Sequence, residues 1–194
     1  KNILYDSPVS KIEGRIVKLS SGESLSPSTV IVATESPAAS ELLSCETSSS
    51  RSVSCVYFAA REAPTSSKSI LLNGDGCGPA LNVAIMTNVA PSYSSTNKAL
   101  IAAAVPGEKK LDDIGPVINQ MKRWFGETVN DWQHLRTYSI AHGQPDLKAG
   151  DSFRKEIKIR EGVFMCGDHR DTPSIQGALV SGRRTAELYL KENF

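Results

Sequence analysis

Two short uninterrupted apolar runs, Val30-Ile31-Val32 and Val163-Phe164-Met165, stand near opposite ends of a chain of 194 residues. A strand that is apolar at every position is one covered on both faces, as in a parallel sheet. Each run leads into a helical signal. After the first, Ser36 is placed as N-cap and Pro37 as first helical residue of a helix through Leu43. After the second, Ser174 is placed as N-cap of a long helix. The stretch between follows another pattern: "VSCVYFAA", "SILLN", "ALNVAIMTNV" and "KALIAAAV" read as antiparallel strands. Like strand–helix pairs flanking an unlike segment predict one discontinuous domain, residues 1–44 and 150–194, with a β-rich insertion at 50–145.

The remaining segments fit this frame. A strand-like pattern opens at "NILYDSPV", and "KIEGRIVKLSSGESL" reads as a small antiparallel meander through Ile12, Ile16, Val17 and Leu19. "CETSSSRS" is a polar loop at the first domain boundary. The "GDGCG" stretch lacks the G-x-G-x-x-G spacing and no helix follows, so it is a hairpin loop. From Leu111 the period becomes helical through Phe125, with Gly126 at the stop. "DWQHLRTYSIAHGQP" is a strand ending before Pro145, and "DLKAGDSFRKEIKIREG" a polar connection.

A net charge of +1 gives no electrostatic reason for a nucleic-acid partner. Cys45, Cys55, Cys77 and Cys166 form no C-x-x-C pair and read as reduced, buried thiols. An intracellular location follows as the expectation, cytoplasmic or plastid. The chain opens on Lys1 inside a strand-like pattern, which predicts a missing N-terminal half.

The stretch "GVFMCGDHRDTPSIQGALVSGRRTAELYL" carries the chemistry. A strand ends at Gly167-Asp168, and a helix starts with Gly177 in its first turn. Free N–H groups there favour an anion or a carbonyl. The Asp168 carboxylate can accept hydroxyls of a polyol, or it can cap a turn. Ile175, Ala178, Leu179, Gly182, Ala186, Tyr189 and Leu190 form the expected packed face, and Gln176, Ser181, Arg183, Arg184, Glu187 and Lys191 the wet one. Cys166, Asp168, His169 and Asp171 lack a second ligand cluster, so no metal is expected. A hydrolase would need the G-x-S-x-G elbow, which is missing. No residue stands out as a catalytic acid or base. Trp132 reads as core packing or as a substrate contact, and His142 as facing either the flavin or simply the loop.

The same stretch resembles the C-terminal flavin-binding motif of the amine oxidase and phytoene desaturase type of FAD-dependent oxidoreductases. The resemblance implies that Gly167 and Asp168 meet the ribityl or pyrophosphate region of FAD. It implies that Ser174, Ile175, Gln176, Gly177 and Ala178 direct N–H groups at the flavin pyrimidine edge. "DSPVSKIEGRIVKLSSGESLSPSTVIVATESP" is similar to the adenosine-end segment, with the Val9 backbone at adenine. "NVAPSYS" and residues 132–145 look like the relatives' substrate domain.

The family's N-terminal dinucleotide fingerprint and its ribose-binding acid are absent from these residues. The expected fold is therefore α/β (α+β): a partial FAD-binding Rossmann-like domain with an inserted β-rich antiparallel substrate domain. The implied function is oxidation or desaturation of a small organic or lipophilic substrate by hydride transfer to FAD. The alternative is a flavin-free scaffold or interaction protein that keeps the fold.

Overall fold

The computed structural model describes residues 3–46, 48–107 and 111–194. Asn2, where the opening strand pattern begins, and Thr47 of the serine-rich loop lie outside them. The strands are β1 (Val9–Glu13), β2 (Ile16–Leu19), β3 (Ser24–Leu25), β4 (Val30–Val32), β5 (Ser50–Ala60), β6 (Leu71–Leu72), β7 (Asn82–Ile85), β8 (Ala99–Pro106), β9 (Gln133–Pro145), β10 (Lys158–Arg160) and β11 (Val163–Met165). The helices are α1 (Ser36–Leu43), α2 (Met86–Val89), α3 (Gly115–Phe125) and α4 (Ile175–Asn193). The chain divides into two compact units, Lys1–Ser50 with Gln144–Phe194, and Arg51–Gly143.

In the first unit β1, β2 and β3 form an antiparallel meander, turned between β1 and β2 at Gly14, whose φ of 59° suits glycine. The opening strand starts only at Val9; Ile3, Leu4 and Tyr5 precede it, exposed and outside any strand. A second sheet runs β10-β11-β4, with β11 parallel to β4 in the register Val163↔Val30, Phe164↔Ile31 and Met165↔Val32. β10 lies within the stretch that the sequence pattern marks as a polar connection. Its three residues are half-buried, and Ile157 just before it is buried. Ile12, Val30, Val32, Ala39, Leu43, Val163 and Met165 make the core. Residues of β11 are buried on both faces, as expected, but Ile31 of β4 is 47% exposed. β4 is an edge strand among the described residues, and its outward face carries no cover that would bury Ile31.

α1 departs from the expected cap by one residue. Glu35 is the N-cap and its side chain makes no cap bond. Ser36 is already helical, and its Oγ accepts from Ser48 N–H at 3.1 Å instead.

The second unit is a five-stranded sheet, β6-β7-β8-β5-β9. β5 pairs with β8 antiparallel from Val53↔Pro106 to Ala60↔Ala99. Alternate residues Val56, Phe58, Val83, Ile85, Ile101, Ala103 and Val105 face one core, the period-two burial of a sheet covered on one side. α3 covers that side with Val117 and Met121, and Ile118 packs against the same core. Asp113 Oδ1 accepts from Gly115 N–H at 2.8 Å and fixes the approach to the helix. The stretch "ALNVAIMTNV" is strand only to Ile85, then turns into α2. The "GDGCG" loop joins β6 to β7 as a hairpin connection. Gln120 is fully buried, and its amide exchanges two 2.8 Å bonds with the Ala80 backbone, so it holds that loop to α3. Cys77 is exposed, unlike the buried thiol expected; Cys45 and Cys55 are half-buried and Cys166 buried, all free.

Candidate functional site

β11 delivers the chain to Cys166, whose N–H donates to Val32 O at 2.9 Å, and then to Gly167. Gly167 has φ of 151°, and a Cβ there would lie 2.5 Å from His169 Cε1. Only glycine allows the His169 ring to fold under this turn. Residues Asp168–Arg170 then form one turn of 3-10 helix. Asp168 is partly exposed, at 34% of its side chain, and His169 Nδ1 lies 3.8 Å from its Oδ1. His169 points inward, with its side chain 2% exposed.

α4 begins after Thr172-Pro173. Ser174 is the N-cap, as expected: its Oγ accepts from Gly177 N–H at 3.0 Å, and its carbonyl accepts from Ala178 N–H at 3.0 Å. The first-turn N–H groups of Ile175 and Gln176 have no intrahelical acceptor and lie in the exposed start of the helix. A Cβ on Gly177 would overlap the Thr172 carbonyl. The space over this glycine is therefore filled by the chain's own turn.

α4 packs through another face than the expected one, although Gln176, Arg183, Glu187 and Lys191 of the expected wet face are exposed. Gly177, Ser181 and Thr185 are its buried residues, while Ile175 and Leu179 are 79% and 69% exposed. Leu190 is also exposed. The helix packs through hydrogen bonds made at close range. Ser181 Oγ accepts from Gly167 N–H at 2.9 Å and reaches Gly167 O at 2.8 Å. Arg184 binds Asp171 at 3.1 Å, and its guanidinium also donates to Arg170 O and Lys155 O. Both members of that ion pair are about 85% buried, since 14% and 15% of their side chains remain exposed. Ser181 and Arg184 are the positioning residues that sequence reasoning put on the wet face. Small residues four apart (177, 181, 185) are the signal that marks close helix approach.

Seven of the eight expected site residues thus share one turn and one helix start. Val9 does not; it lies on β1, opposite Leu19 of β2. Among the described residues no group of three or more His, Cys, Asp or Glu is placed to hold a metal. Trp132 packs on the second core, its ring 5.7 Å from Phe58 and 5.7 Å from Phe125, which is the core-packing role. His142 is exposed on β9.

The family model for flavin-containing amine oxidoreductases matches residues 1–190. The chain belongs to that family. The family's description names a flavin as its cofactor. The fold agrees with an oxidoreductase from Methanosarcina mazei (TM-score 0.66, 15% identity, 92% of this chain and 48% of that one). It also agrees with a candidate protoporphyrinogen oxidase from Exiguobacterium sp. 255-15 (TM-score 0.73, 16% identity, 96% and 47%). A Pyrococcus furiosus protein matches with TM-score 0.62 at 14% identity, over 93% of this chain and 46% of its own. The chain therefore spans just under half of each of these solved chains. No curated protein sequence matches it.

The residues present fit a flavin amine oxidoreductase cofactor. The Asp168 carboxylate is open to hydroxyl donors, as a ribityl chain would supply. The Ile175 and Gln176 N–H groups stand at the positive end of a 19-residue helix, suited to an electron-rich carbonyl. The Gly177 and Ala178 N–H groups donate to Ser174 Oγ and to the Ser174 carbonyl.

Proposed function

We propose that this chain is the C-terminal portion of an FAD-dependent oxidoreductase that oxidises or desaturates a small organic or lipophilic substrate. The observation that carries the reading is a partly exposed Asp168 carboxylate on the turn that leads into a helix with two first-turn N–H groups free of intrahelical acceptors, in a chain of this family. Asp168 would accept cofactor hydroxyls, Ile175 and Gln176 would donate to the pyrimidine edge, and Gly167 would let the backbone approach. The Val9 backbone would meet adenine. Bound FAD would supply the electron sink for hydride leaving a substrate carbon.

In this reading residues 1–44 and 150–194 complete a Rossmann-like FAD domain, and 50–145 form the substrate domain. The missing N-terminal half would bring the pyrophosphate loop and a strand for the open edge of β4. Two features support this. An edge strand with unpaired backbone and an exposed Ile31 is a template for another strand. The exposed Ile175 and Leu179 likewise ask for cover.

The test is flavin content per protein after gel filtration, measured on the longer flavoprotein that contains this segment. Asp168→Ala is expected to weaken retention by about 1.5–3 kcal/mol, the scale of a charged hydrogen bond. Lys191→Ala, far down α4, is expected to retain full flavin. The isolated chain is expected not to hold FAD at micromolar concentration, a threshold near −8 kcal/mol. A folded Asp168→Ala protein with full flavin would remove Asp168 from the site, and a flavin-free wild type would favour the scaffold reading.

A further inference from the structure

A cavity of about 680 Å³ lies in the first unit, on the inward side of the same turn. Ser36, Ser48, Lys155, Met165, His169 and Arg170 line it. Asp168 and the start of α4 do not, so it is a different space from the proposed flavin contacts. It lies beyond the ends of two parallel strands: Met165 closes β11, and Ser36 opens the helix after β4. Open α/β sheets bind ligands outside the carboxyl ends of their strands.

The cavity carries both signs of charge, with Arg170, Lys155 and Lys148 beside Glu46, Asp146 and Asp151. Arg170 directs Nε and Nη2 at the Met165 sulfur, at 3.3 and 3.0 Å, which is a weak and neutral acceptor. Lys155 Nζ donates to Ser48 Oγ at 3.3 Å. Neither cation is ion-paired among the described residues. Burial pulls the Arg170 guanidinium down from its ordinary value. His169 packs beside them. Its side chain is 2% exposed, Nε2 touches Met165 Sδ at 3.3 Å, and Nδ1 has no hydrogen-bond partner. Glu46, Asp146, Lys148 and Asp151 complete the charged lining. Of these, Asp151 is held by Lys148 N–H at 2.9 Å, and Glu46 is exposed. A partly desolvated cation costs free energy until an anion or a hydrogen-bonding partner meets it.

We propose that this cavity is a binding site for a small oxyanion, a phosphate or a carboxylate, held by Arg170, Lys155 and the hydroxyls of Ser36 and Ser48. Arg170 suits it best, because a planar guanidinium presents paired donors to either group.

The test is isothermal titration of the purified chain with sodium phosphate and, separately, sodium succinate, at ionic strength held constant with sodium chloride. Saturable binding of either anion is expected, and the tighter one identifies the chemistry. Arg170→Gln is expected to weaken it about tenfold or more, the scale of one charged partner removed. Arg170→Lys should recover part of the loss, and Lys191→Ala should change nothing. Circular dichroism of each variant confirms that it is folded, and Lys155→Gln serves as a second variant if Arg170→Gln unfolds. No binding of either anion to the wild type overturns the proposal. So does unchanged binding in folded Arg170→Gln and Lys155→Gln. Displacement of the anion by ADP or FAD would also overturn it, because the cavity would then belong to the cofactor site. Flavin content of Asp168→Ala is a separate readout, so the two readings fail independently.

Discussion

Helix α3 buries Val117, Gln120 and Met121 against a sheet, whereas α4 buries Gly177, Ser181 and Thr185 and leaves Ile175 and Leu179 in the open. The first helix completes a core that its own unit supplies. Large side chains meet the inner face of β5, β7 and β8, and area removed from water holds them there. The second helix is fastened by hydrogen bonds to the Gly167 turn, at a range that only small side chains permit. Its apolar residues are left over from that contact. The comparison separates a region built for its own stability from one built to present a turn.

The contrast is sharpest in a pair of truncations. Met121→Ala removes a fully buried side chain from α3 and is expected to cost about 2–5 kcal/mol in urea unfolding. Leu179→Ala, in the exposed face of α4, is expected to stay within about 0.5 kcal/mol of wild type in the same assay. A comparable loss in both would mean that the α4 face is covered in solution, and the comparison would break. Next in size is Ser181→Ala. It strands the Gly167 N–H on the inner side of the turn, for an expected loss of about 1–3 kcal/mol. Ser181→Thr keeps the hydroxyl but adds a methyl where α4 lies closest, so it tests whether the bond or the clearance dominates.

A smaller effect concerns His169. Burial first, and then the Arg170 charge, push its pKa below the ordinary histidine value near 6.5. The unfolded chain takes up a proton on this ring at about pH 6.5 while the folded chain resists it. Stability from this residue is therefore full above that pH and declines as pH falls toward the lowered folded value. Melting temperatures between about pH 7.5 and 5 should fall for wild type and fall less for His169→Phe. An identical slope in the variant would place the acid sensitivity elsewhere.

The smallest expected effect lies on the meander. Lys11 and then Lys18 hold the Glu13 carboxyl down at about 2, from 4.5. Its stabilisation is present above the unfolded value and lost as pH falls from there to about 2. The three side chains are exposed, so Glu13→Gln should matter little at neutral pH, and less in high salt. A large salt-independent loss would show that this hairpin has a second role.

Much of this protein could be read from its sequence, for one physical reason: local periodicity records burial wherever a segment packs by area. The strands Val163–Met165 and Val30–Val32 were legible from their apolar runs, α3 from its three-and-four spacing, and the N-cap at Ser174 from one hydroxyl residue beside a proline. The Gly-Asp turn stood out because few other arguments explain those residue types together. Tertiary structure decided the rest. It set which face of α4 is buried, because a serine bonded to a backbone is as good an anchor as a leucine, and hydropathy does not count bonds. It assigned Gly177 to the Thr172 carbonyl, since only folding brings that loop over the helix. It made β10 a strand despite its charged ends, because Lys158 pairs with Phe164 of an apolar neighbour. And it brought Lys155 and Ser36 to the cavity that His169 and Arg170 line, a proximity no spacing in the chain records.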